Sequence, residues 1–457
     1  MKTDLHEKYV DSVVARLKGI EVKIRKPEAK AQTRYDGPPP VATFDVDTMT
    51  NVRGFEITAL DRRAMIEVPD GEQSLRIDGE GFVTLQKVAS EMITKCDLAD
   101  VVSQDFIEDL LFDYRISALK SNEWNSPINY VAAHVGEAIK ECSFSFPLSG
   151  SRGNRAFSFC GVDFQPDCRL FRAFISRFRD PEILREDERL AKQRIAEEWS
   201  DRFGQCMWAS VNITAEPRYA KVLAIQHVTD ATHLLRAICV AGYHPTRHVG
   251  FVPGAPFFYE HLSLASIGET EAYFPDPASR SEILWFGEDL LKCLSDLGLK
   301  HIDNLYRKEV KNEMEELCLR CLITLGSVAG MSDVSDKVVY GCTALDMLYS
   351  RDQEPILATM PKRLAIELGL DLAERKSIVA VVKAVYALRS GRVHGGRAAE
   401  LNSQTLDFFR FLFYLATRLP FIAGNHPTQA AYIGSLEDRM LGGQVSESTS
   451  RRFRPIR

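Results

Sequence analysis

From Ser279 to about Pro420 the chain becomes a run of amphipathic, helix-forming segments joined by short linkers. That run constrains the fold more than any other feature. Apolar positions recurring at three- and four-residue steps predict helices over 281–296, 302–325, 335–349, 355–368, 374–391 and 400–418. Linkers this short favour antiparallel neighbours, so the segments are expected to pack as a bundle. In 374–391 the apolar face is carried by Ile378, Val381, Val382, Val385 and Leu388.

Upstream the periodicity is mixed. Leu5, Tyr9, Val10, Val13, Val14 and Leu17 predict a short helix over 4–18, and Arg25 to Pro40 reads as a linker closed by Gly37-Pro-Pro-Pro40. Val41–Val46, Phe55–Ala59 and Ala64–Val68 alternate as strands, and helices are expected near 82–95 and 106–118. Further on, strands are expected around 144–146, 156–159 and 209–214, with helices over 181–203 and 220–241. Phe257, Phe258 and Tyr259 lie in a Pro/Gly-punctuated loop, where an aromatic cluster serves packing more often than base stacking. The expected class is α+β, with an N-terminal mixed α/β region followed by an all-α bundle. The expected domains are 1–280, a sensing or regulatory region divisible near 130–140, then a helical domain over 281–425. A polar, disordered tail is expected over 426–457.

Composition narrows the function classes. With 457 residues, 45% of them apolar, the chain is long enough for two or three domains with their own cores. A net charge of −6 argues against a generally basic nucleic-acid coat, so any such contact must come from a local patch. The N-terminus shows no apolar signal segment, and the most apolar window, Phe408–Arg418, is too short and too charged to span a bilayer. A soluble, cytoplasmic protein without membrane partners is therefore expected. The ten scattered cysteines read as reduced thiols. Cys318 and Cys321 share one apolar helix face and read as core. The His244/His248 pair is broken by Pro245 and lacks further ligands, so no metal and no cofactor are expected. Gly79-Glu80-Gly81 lacks the rest of any phosphate-loop pattern.

The chemistry-bearing feature is the end of the 374–391 segment. Arg389 and His394 stand five residues apart, and from Arg375 to Ala399 there are six basic residues and no acidic one. A permanently charged guanidinium can neutralise a phosphate, and an imidazole can move a proton near neutral pH. The plain alternative is a helix C-terminus, with basic residues at the negative end of the dipole and Gly395 as the cap. On one straight helix the two positions diverge by about 140°. Gly391 and the Gly395-Gly396 pair allow the helix to end between or just after them.

The segment Tyr386-x-x-Arg389-Ser390-x-x-Val393-His394-Gly395 resembles the signature that closes the penultimate core helix of the HEPN superfamily, particularly its Apea-like branch. Glu316–Gly326 and Thr343–Leu348 resemble the two preceding helices, so the resemblance covers roughly residues 300–420. Ala231–Arg236 and Cys142–Leu148 are similar to the region that precedes such domains. Where the family usually has Glu, this chain has Asp346, which weakens a catalytic role there. The resemblance implies metal-independent RNA cleavage at a cleft composed from two copies of the motif, hence a homodimer through the helical domain. His394 would help deprotonate the ribose 2′-OH, and Arg389 would stabilise charge on the phosphoryl oxygens. Ser390 would bond phosphate or cap the helix. Arg392 and Lys383 would contact backbone phosphates or stay solvated, and Tyr386 would pack. The resemblance also implies a place in prokaryotic defence or toxin systems, with an unidentified trigger acting on the N-terminal region. The second expectation is a catalytically silent HEPN module that dimerises or binds RNA.

Overall fold

The computed structural model describes residues 7–25, 65–70, 73–148, 150–179, 186–245, 247–249, 261–267, 270–276, 280–281, 284–396, 399 and 402–442. It is an α+β protein. Contacts divide it into two compact units, Met1–Cys142 with Ile213–Val222, and Ser143–Asn212 with Leu223–Arg457. The division does not fall at residue 280.

The first unit contains α1 (Glu7–Lys18), β1 (Lys23–Arg25), β2 (Met65–Asp70), β3 (Gln73–Asp78), α2 (Gly79–Cys96), α3 (Gln104–Ser121) and α4 (Pro127–Ala138). Its antiparallel sheet has the order β1-β3-β2. Ser103 and Ser126 cap α3 and α4 by accepting the backbone N–H groups of Phe106 and Asn129. Val13, Leu17, Ile77, Phe82, Met92, Leu111 and Val131 share one buried core. Buried Arg115 closes the end of α1, donating to the carbonyls of Lys18 and Ile20 with its guanidinium over the Trp124 ring. The expected strands Val41–Val46 and Phe55–Ala59 lie outside the described residues, as do Phe257, Phe258 and Tyr259.

The chain continues with β4 (Lys140–Leu148), β5 (Ser151–Gly153), β6 (Phe157–Phe159), β7 (Val162–Gln165), α5 (Arg169–Arg179), α6 (Glu186–Phe203), β8 (Met207–Ala215) and α7 (Pro217–Ala237), of which the second unit holds β4 from Ser143, β8 to Asn212 and α7 from Leu223. The helix expected over 181–203 is matched by α6, and α5 precedes it where no helix was expected. Four strands form a sheet in the order β4-β8-β7-β6. After a 3₁₀ turn, Val240–Tyr243, come the short strands β9 (Arg247–His248), β10 (His261–Ile267), β11 (Thr270–Asp276), β12 (Arg280–Ser281) and β13 (Leu284–Phe286). The last two lie where only helix was expected. The helices are α8 (Glu288–Asp296), α9 (Leu299–Arg307), α10 (Glu313–Gly330), α11 (Val334–Tyr349), α12 (Ile356–Leu368), α13 (Leu372–Gly395), α14 (Ser403–Asn425) and α15 (Gln429–Met440). Among the described residues no helix is long and apolar enough to cross a membrane.

The expected 302–325 helix is broken by a capping box. Asn312 accepts the Glu315 N–H and Glu315 accepts the Asn312 N–H, each at 2.9 Å, while Lys308 holds the same carboxylate at 2.8 Å. Cys318 and Cys321 are fully buried on α10. Helix α7 lies close against α10: a Cβ on Gly326 would stand 1.9 Å from the His233 carbonyl oxygen, so only glycine permits the approach. His233 Nδ1 lies 2.7 Å from Ser327 Oγ and 3.1 Å from the Ile323 carbonyl. Burial, with the nearby Arg236 charge, pushes its imidazole down to about 4. The neutral ring of the native state therefore contributes stability above the ordinary histidine range, and that contribution is lost as pH falls from about 6.5 towards 4. Denaturant unfolding should show the parent losing on the order of 2 kcal/mol relative to His233→Asn across that window. Parallel pH profiles would show the assignment to be wrong.

The segment 426–457 is not wholly a tail. Thr428 caps α15, whose Tyr432, Ile433 and Leu436 are buried, and the Gln429 side-chain amide donates to the carbonyls of Met347, Leu348 and Ser350 at 2.9–3.2 Å. Ion pairs fasten this helix. The fully buried Glu367 carboxylate meets Arg418 at 2.7 Å and Arg439 at 3.0 Å, and Arg363 meets Glu354 and Glu437 at 2.6 Å each. Deleting one buried partner strands the others, so Glu367→Ala should destabilise the protein by about 3–5 kcal/mol. Chemical denaturation measures this, and a loss within about 0.5 kcal/mol, as at an ordinary surface site, would refute it.

Candidate functional site at the end of α13

Helix α13 starts where Asp371 accepts the Glu374 N–H at 2.8 Å. It continues to Gly395 and closes on Gly396, which takes a left-handed φ of 65° and donates its N–H to the Arg392 carbonyl. The helix therefore does not break at Gly391, and the cap is Gly396 rather than Gly395. Arg389 and His394 sit on one uninterrupted helix, and the divergence of about 140° between their positions stands.

Ile378, Val381, Val382, Val385 and Tyr386 form the buried stripe. Arg389, three residues past Tyr386, continues that stripe, and its side chain is only 29% exposed. It is held from two sides. Nη1 donates to the Tyr386 hydroxyl at 2.7 Å, the guanidinium lies 4.9 Å from the Tyr386 ring centroid, and Nη2 stands 3.4 Å from Asp346 Oδ2. The Tyr386 hydroxyl in turn donates to Asp346 at 3.1 Å, closing a triangle between α11 and α13. Tyr386 thus both packs and bonds the arginine.

Burial raises the Asp346 carboxyl above its ordinary range, against the pull of Arg389 and Tyr386. Burial, with the Asp346 charge, pushes the Tyr386 hydroxyl up to about 12, keeping it a donor. Cys342, one turn before Asp346, is also pushed up by burial, to about 12. Arg392 Nη2 lies 3.7 Å from Asp336 at the start of α11.

These contacts correct one expectation. The segment 375–399 has no carboxylate in sequence, but the fold brings Asp346 and Asp336 to its two central arginines. No local spacing signals the Asp336 contact. The remaining candidates occupy another face. Ser390 and Lys383 lie about 100–120° around the helix from Arg389, close to the His394 position, and both are exposed, as is Lys376. The His394 side chain lies outside those described. Arg389 is therefore separated from Lys383 and Ser390, while Asp346 and Tyr386 join it.

Among the described residues, no three His, Cys, Asp or Glu side chains gather as they would around a metal ion. Comparison with known proteins gives no match to a family model, to a curated protein or to a solved structure.

Proposed function

We propose that this chain is a metal-independent RNA endonuclease of the HEPN type, acting in the cytoplasm within a prokaryotic defence or toxin system. The observation that carries the reading is the Tyr386–Gly395 signature placed at a glycine-capped helix end, with Arg389 at the rim of the bundle. An incoming phosphate competes with Asp346 for the Arg389 guanidinium, and His394 takes the 2′-OH proton. Exposed Ser390 and Lys383 lie on the same side of the helix as the His394 position, about one and three turns before it, and offer contacts to the sugar–phosphate backbone. Since the two positions diverge by about 140° around one helix, the working site combines Arg389 of one copy with His394 of another. The full-length protein should therefore sediment as a homodimer at micromolar concentration. A strictly monomeric yet fully active enzyme would refute the two-copy site.

A second reading is favoured by the Arg389–Asp346–Tyr386 triangle itself, which already satisfies much of the guanidinium. In that reading the triangle is a structural clamp and the domain a silent dimerisation or RNA-binding module. Incubating the purified protein with total RNA, beside Arg389→Ala, separates the two. Cleavage lost in the variant supports the nuclease, and binding without cleavage in either protein supports the module.

A further inference from the structure

Helix α5 carries four arginines and no carboxylate in its 11 residues. Its apolar side chains divide between two directions. Phe171 and Ile175 turn inward: the Phe171 ring lies 4.8 Å from that of buried Trp208, and Ile175 is buried. Leu170 and Phe174, one turn apart, face out with 54% and 37% of their surface exposed. Phe174 stacks at 5.5 Å on half-buried Trp199, so the outward stripe of α5 continues onto α6. Arg169 borders Leu170, and among the described residues its exposed guanidinium makes no ion pair. Arg172, about 160° around the helix from Phe174, is met by Asp167 at 2.7 Å. The carboxylates next to Trp199 in sequence, Glu197, Glu198 and Asp201, lie about 100–160° around α6 from it. An apolar, aromatic stripe beside arginine is the composition of a helix that lies on a membrane surface.

We propose that the outward face of α5 rests on an anionic lipid bilayer. Leu170 and Phe174 enter the boundary of the acyl chains, Trp199 sits at headgroup level and Arg169 meets a lipid phosphate. The four arginines of the helix add a general attraction to the anionic surface. A stable protein complex buries about 800 Å² on each partner, far more than two outward side chains and a half-buried ring supply. A bilayer needs no matching shape. A polynucleotide uses the guanidinium charge but leaves Leu170 and Phe174 without an apolar partner. So short a stripe holds the protein reversibly, which narrows the expectation of no membrane partner to no membrane span. The surface does not depend on RNA cleavage.

Flotation of the full-length protein tests it, with vesicles of phosphatidylglycerol mixed with phosphatidylcholine beside phosphatidylcholine alone. The anionic vesicles should bind at least about tenfold more tightly, and added salt should release the protein. Leu170→Ser and Arg169→Ser, both at exposed positions, should each weaken binding about fivefold without moving the thermal unfolding midpoint. Arg389→Ala should bind like the parent. Vesicles with brominated acyl chains should quench tryptophan fluorescence, and Trp199→Phe, which keeps a ring against Phe174, should lose most of that quenching. No binding to anionic vesicles, or equal binding to both kinds, overturns the proposal. So does quenching unchanged in Trp199→Phe. Binding that falls in Arg169→Ser but not in Leu170→Ser marks a general polyanion surface and overturns it as well.

Discussion

Arg389→Ala is expected to lower RNA cleavage at least about 100-fold, and His394→Ala by a similar or larger factor. The arginine is asked to stabilise charge that builds on the phosphoryl oxygens, and removing one such donor typically costs about 10²–10³ in rate. A positioned general base supplies about 10²–10⁴. The two variants differ in their structural cost. Arg389 closes the triangle with Tyr386 and Asp346, so alanine leaves a half-buried carboxylate without its cation. Burial already disfavours that charge, and the loss is expected at about 1–2 kcal/mol. Arg389→Lys is the informative companion. It keeps the charge but loses the planar fork that meets Tyr386 and Asp346 together, so a folded, inactive lysine variant supports a catalytic guanidinium. An Arg389→Ala protein that stays folded and cleaves like the parent would remove the site altogether.

The amphipathic stripe on α13 was legible because Ile378, Val381, Val382 and Val385 follow helical spacing whatever they pack against. Its end was not. A glycine inside a helix costs only about 1 kcal/mol, too little to stop α13 at Gly391, and the chain runs on to the left-handed Gly396. Helix α15 was hidden for a different reason. Its apolar stripe is short, Tyr432, Ile433 and Leu436, and it docks as well through charges on Glu367 and Arg363 far away in the sequence. The candidate site divides in the same way. Arg389, His394 and Tyr386 sit in one linear signature and can be read directly. The carboxylates of Asp346 and Asp336 reach the arginines only through the packing of α11 on α13, which no spacing within 375–399 can announce.

A substrate carrying 2′-deoxyribose on the 5′ side of the cut should resist cleavage entirely, and activity on ordinary RNA should survive EDTA. Both outcomes follow from which groups are free to act. A divalent cation at this helix end needs carboxylate oxygens, and among the described residues the two that meet its arginines are already engaged, Asp346 by Arg389 and Tyr386, Asp336 by Arg392. A Mg²⁺ ion would have to displace the guanidinium that the mechanism requires. On the proposed reading the nucleophile is the neighbouring ribose hydroxyl. As its oxygen bonds to phosphorus, its proton would pass to His394, the P–O5′ bond would break, and the departing 5′-oxygen would take a proton from water. The products are a 2′,3′-cyclic phosphate, or the 3′-phosphate formed from it by hydrolysis, and a 5′-hydroxyl. End-group mapping reads this chemistry directly. Comparable cutting of DNA, a strict need for Mg²⁺, or 5′-phosphate ends would each overturn the mechanism, even if Arg389 and His394 proved essential.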